Sequence, residues 1–140
     1  MKLILSTIVV GIVLFLLGWL FYGILFADYF SRFFGHIQRP MDEMKIWAFG
    51  VANLAQAFFM YMIYAKGYKG GSPLTEGFRF GLVIGFFLLI PHMFMTWGGM
   101  PVMARGAAAD AIVGMFMIMV ASILTALIHG KRDVAVIKGS

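Results

Sequence analysis

Four charge-free apolar stretches, each long enough to cross a bilayer, occupy most of this 140-residue chain. They run over 3–26, 46–65, 80–104 and 111–128, and His92 is the only Asp, Glu, His, Lys or Arg inside them. A hydrocarbon core about 30 Å thick requires about 20 helical residues. Lipid offers no hydrogen bonds, so each segment must satisfy its own backbone, and stretches of this length therefore dictate helices. The expected fold class is all-α: a polytopic membrane protein of four transmembrane helices in an up-down bundle. The spans are placed at about 3–26, 46–65, 77–97 and 107–128 of a single domain, 1–140.

The balance of residues agrees. Hydrophobic residues make up 62% and charged residues 12%, against about a quarter charged in soluble domains, which excludes a soluble core. The first stretch follows Lys2 as a signal peptide would. Its length exceeds a normal signal-peptide apolar region and no small-residue cleavage site follows, so it reads as a retained helix. The absence of cysteine excludes disulfides, thiolate metal sites and cysteine nucleophiles.

A net charge of +5 would suggest nucleic-acid affinity if it were not sorted by side. Lys2, Lys66, Lys69, Arg79, Lys131, Arg132 and Lys138 fall on one side of the spans; Arg32, Arg39, Lys45 and Arg105 fall on the other. Cytoplasmic segments carry the excess of Lys and Arg, so both termini are predicted to be cytoplasmic. Anionic lipid on that face is the expected partner, and nucleic acid is not. Under this topology Trp19, Trp47 and Trp97 all lie toward the outer boundary, where an indole finds both apolar and polar surroundings.

Between the first two spans, Tyr29, Phe30, Phe33, Phe34 and Ile37 recur at three- and four-residue spacing before Pro40. That pattern predicts a short helix lying on the outer surface, with an irregular aromatic loop as the alternative. The third span opens with Gly70-Gly71-Ser72-Pro73, where Ser72 is placed to cap, Pro73 suits the first helical position and Glu76 suits the positive end of the dipole. Gly77, Gly81 and Gly85 then repeat every four residues and predict a face on which another helix backbone approaches closely. At 100° per residue His92 lies about 20° from both Gly81 and Gly85, which directs it into the bundle or a partner.

Six residues are candidates for a polar network in the outer half: His92, Asn53, Gln56, Tyr22, Asp110 and Arg105, the last close enough in sequence to neutralise Asp110. Pro91 lacks an N–H and frees the Phe87 carbonyl beside His92. Such groups either hydrogen-bond the helices together or line a proton or solute path. The twelve methionines, with His92, Met93, Met95, Met100 and Met103 toward one end, include the soft donors that suit Cu(I). Met93 and Met95 point about 160° apart on a helix, so they are read as packing residues, and no metal or other cofactor is expected. His36 and His129 read as isolated, Ser6 and Ser122 as packing hydroxyls, and no catalytic motif is present, so no enzyme activity is expected.

Gly18-Trp19-Leu20-Phe21-Tyr22 with Phe26, then Glu76-Gly77 with Gly81 and Gly85, and Asp110-Ala111 together resemble a family of small, uncharacterised four-helix bacterial inner-membrane proteins. The resemblance covers roughly residues 10 to 128 and implies a four-helix membrane fold in the bacterial inner membrane, without an activity. The expected role is binding or structural: a bundle that docks through its glycine face to itself, as a homo-oligomer, or to other membrane subunits as an accessory subunit. A small oligomeric transporter or channel with a polar site around His92 is the alternative.

Overall fold

The computed structural model describes residues 1–130 and is helical throughout its regular structure. The tail residues Lys131, Arg132 and Lys138, which entered the charge count, lie outside the described residues. Helix α1 (Lys2–Gly18) runs on through a π-helical segment, Trp19–Leu25; α2 (Ala27–Phe34) follows, then α3 (Ile46–Gly67), α4 (Pro73–Gly99) and α5 (Ala104–His129). Four helices are long and apolar enough to cross a membrane: Lys2–Leu25, Ile46–Gly67, Pro73–Gly99 and Ala104–His129.

These four pack in the spatial order α3, α1, α5, α4, with the α4–α5 and α1–α3 hairpins joined through α1 and α5. The direction of the chain alternates. At one end Lys2 Nζ donates to the carbonyl of His129 at 2.7 Å, and at the other Tyr22 meets Asp110. The core is a narrow seam of Val10, Leu14, Ala57, Met60, Ile118 and Ala121. Large apolar side chains such as Ile8, Ile12, Phe59, Val83, Phe87 and Ile112 face outward. Exposed apolar flanks around a thin core are what a hydrocarbon solvent permits, because lipid tails do not drive such residues inward.

The glycine spacing sets the α4–α5 seam. Gly77, Gly81 and Gly85 are all buried. A Cβ at Gly77 would stand 2.8 Å from Ile123 Cα and 3.0 Å from the Ser122 carbonyl oxygen, and one at Gly81 would stand 2.8 Å from Met119 Sδ. Helix α5 therefore covers this face within the chain, which corrects the expectation that the bundle docks through it. Met115 and Met119 fill the same seam, as a flexible thioether does in irregular gaps.

Two local expectations also change. Ser72 does occupy the N-cap of α4 and Pro73 its first turn, but the Ser72 hydroxyl makes no capping bond; its backbone carbonyl instead accepts from Glu76 N–H at 2.9 Å. The aromatic run does form a helix, yet α2 ends at Phe34, with Gly35 N–H donating to the Ser31 carbonyl at 2.8 Å, and Ile37 lies in the turn beyond. Phe30 of α2 is buried, its ring 4.7 Å from that of Tyr22, so α2 folds back onto the end of α1.

Candidate functional site

Three of the six candidate residues meet at one point. The Tyr22 hydroxyl donates to Asp110 Oδ1 at 2.5 Å, and His92 Nε2 lies 3.3 Å from Asp110 Oδ2. A carboxylate offers two acceptor oxygens, here used by groups from two different helices, so Asp110 of α5 ties α1 to α4. Since the carboxylate only accepts, Nε2 carries the hydrogen in this arrangement. The long His92 distance makes that bond the weaker of the two.

The placement of Tyr22 depends on the π-helical segment. An i→i+5 bond, Phe26 N–H to the Phe21 carbonyl at 2.9 Å, inserts an extra residue into the turn that carries Tyr22. That shift rotates side chains away from the 3.6-residue register, so their facing is not obtained by counting 100° per residue along α1.

A cleft of about 220 Å³ opens over this triad, lined by Tyr22, His92, Asp110 and Gln56 among apolar Leu14 and Leu89. Gln56 thus joins the site as a lining residue. Asn53 does not reach it with its amide, which donates to the Phe49 carbonyl one turn back at 2.8 Å. Arg105 also stays apart: its guanidinium sits 5.9 Å above the Phe33 ring, and it makes no ion pair with Asp110. The expectation that Arg105 neutralises Asp110 is corrected, because the first turn of α5 directs it toward α2. His92 takes its partner from α5, not from the carbonyl freed by Pro91, and 56% of its side chain remains exposed against 20% for Asp110.

No protein-family model matches the chain, and comparison with curated proteins and with solved structures likewise found no match. The reading of the site therefore rests on its own geometry.

At the opposite end lies a cluster that the sequence did not reveal. His129 is buried among Tyr61, Tyr64 and Tyr68, with ring centroids 5.6, 5.4 and 4.9 Å away, and its Nδ1 lies 3.1 Å from the Tyr61 hydroxyl. Tyr61 and Tyr64 stand at i and i+3 and so share a face of α3, with Tyr68 just beyond its end, and that spacing is the one signal that was available. Nor is His36 isolated. Its Nε2 lies 2.9 Å from the Pro101 carbonyl, joining the segment after α2 to the α4–α5 connection.

Proposed function

We propose that this chain is an integral membrane binding protein, without enzyme activity, that docks on another membrane subunit or on a second copy through the flank bearing His92. Both termini are cytoplasmic in this reading, the membrane is the bacterial inner membrane, and anionic lipid meets the basic cytoplasmic face. The observation that carries it is the 56% exposure of the His92 side chain. Helix α4 has 27 residues and so is about 40 Å long, which puts His92 about 10 Å from its end and about 5 Å inside a centred 30 Å hydrocarbon layer. An imidazole bonded on one side and open on the other loses hydrogen bonding to water at that depth. A partner helix that supplies a polar group over the cleft removes the penalty.

The transporter alternative is less well supported. Its polar groups gather at one end, while Ser122 and Thr125 farther along α5 are fully buried and bonded to Met60 Sδ and the Ala121 carbonyl. Native mass spectrometry after mild detergent extraction tests the docking reading. Wild type is expected as a defined homo- or hetero-complex, and His92→Leu as the free chain that keeps its helical circular dichroism, with only the small loss of stability that the weak Asp110 contact implies. Wild type extracted as a monomer with no co-migrating subunit refutes it.

A further inference from the structure

A second cleft, about 520 Å³, shares no lining residue with the first. It lies where α2 packs over the start of α5. Arg32, Tyr29 and Phe33 come from α2, His36 from the turn that follows, and Pro101 and Arg105 from the α4–α5 connection and first turn of α5. Two guanidiniums and an imidazole thus line one concavity, and among the described residues no carboxylate does. Neither arginine has an ion-pair partner among the described residues.

The walls are fixed by packing. Gly106 is buried against the Phe33 ring: a Cβ there would fall 2.7 Å from Phe33 Cβ, so only glycine lets the start of α5 come this close to α2. The guanidinium of Arg105 rests over the same ring at 5.9 Å from its centroid and donates from one terminal nitrogen to the Met103 thioether at 3.8 Å, a weak acceptor that leaves its other N–H groups for an anion. Since a carbonyl only accepts, the His36–Pro101 contact is an Nε2–H donation at 2.9 Å, and it holds the third wall in place.

We propose that this cleft binds a phosphate oxyanion. Arginine forks match phosphate oxygens in pairs and form short, charge-assisted bonds, two like charges in one concavity concentrate positive potential, and the volume falls within the range of about 300–1,000 Å³ usual for small-molecule sites. Two sources offer the same chemistry: the headgroup of an anionic phospholipid and a soluble phosphate. The cleft lies at the ends of α4 and α5, level with lipid phosphates if those helices span the bilayer, which favours the headgroup. The proposal is independent of what covers His92.

The test titrates the full chain in a neutral maltoside detergent with dioctanoyl phosphatidylglycerol, inorganic phosphate and phosphate-free dioctanoylglycerol. Native mass spectrometry counts bound lipid and calorimetry follows phosphate. Phosphatidylglycerol binding at least tenfold tighter than dioctanoylglycerol, weakened at least tenfold by R32Q or R105Q and unchanged by R39Q, supports the site with a lipid source. The same variant pattern with inorganic phosphate supports it with a soluble source. If the glutamine variants lose their fold, R105K keeps the charge without the fork and should bind several-fold more weakly. Equal binding by R105K and wild type, loss as large in R39Q as in R105Q, or no phosphate preference overturns the proposal.

Discussion

Replacing Gly77 or Gly85 of α4, or Gly50 of α3, singly by alanine should change the stability of the fold in an order set by what each new methyl group meets. In a helix, alanine is favoured over glycine by about 1 kcal/mol, and overpacking costs about 1–3 kcal/mol, so the sign depends on whether the neighbour yields. At Gly77 the neighbours are Ile123 Cα at 2.8 Å and the Ser122 carbonyl oxygen at 3.0 Å, both backbone atoms of α5 that move only if the helices separate. Gly77→Ala should therefore lose about 1–2 kcal/mol net. At Gly85 the nearest atoms belong to the end of Met115, whose side chain has three rotatable bonds, and Gly85→Ala should stay within about 0.5 kcal/mol of wild type once Met115 turns aside. Gly50 of α3 has nothing within 4 Å, so Gly50→Ala should gain up to about 1 kcal/mol. Unfolding of detergent-solubilised protein by sodium dodecyl sulfate, followed by helical circular dichroism, measures all three. A Gly77→Ala variant as stable as Gly50→Ala, or a larger loss at Gly85 than at Gly77, would refute the assignment of the α4–α5 seam as backbone contact.

In the tyrosine cluster, Tyr61→Phe removes the hydroxyl that meets His129 Nδ1 and should cost about 1 kcal/mol or more. The buried Tyr64 hydroxyl has no hydrogen-bond partner among the described residues, so Tyr64→Phe should be neutral or slightly stabilising in the same assay. Lys2→Met withdraws the ammonium from the terminal carbonyl of α5 and should lower stability by about 0.3–1 kcal/mol, less at high salt.

Much of the architecture was legible because it follows from solvent and local rules. A long apolar run must be helical in hydrocarbon whatever surrounds it, so four helices follow from the spans placed at 3–26, 46–65, 77–97 and 107–128, and the helices found begin and end within about five residues of those limits. Gly77, Gly81 and Gly85 share a face through helical geometry alone. Proximity of His92 to that face likewise came from angular arithmetic, and it brought the imidazole to α5.

What covers a face, and which partner a polar group takes, was decided by the tertiary structure. The glycine face met α5 of the same chain, because the short connection between Gly99 and Ala104 folds the two helices into a hairpin. Arg105 and Asp110 are five residues apart, and on a helix that separation differs by about 140° in azimuth, so nearness in sequence did not make them a pair. Tyr22 reached Asp110 through a π-helical turn, and Arg32, His36 and Arg105 came to line one cleft across about 70 residues of sequence. These outcomes depend on contacts between distant segments, which the sequence period of a single helix does not encode.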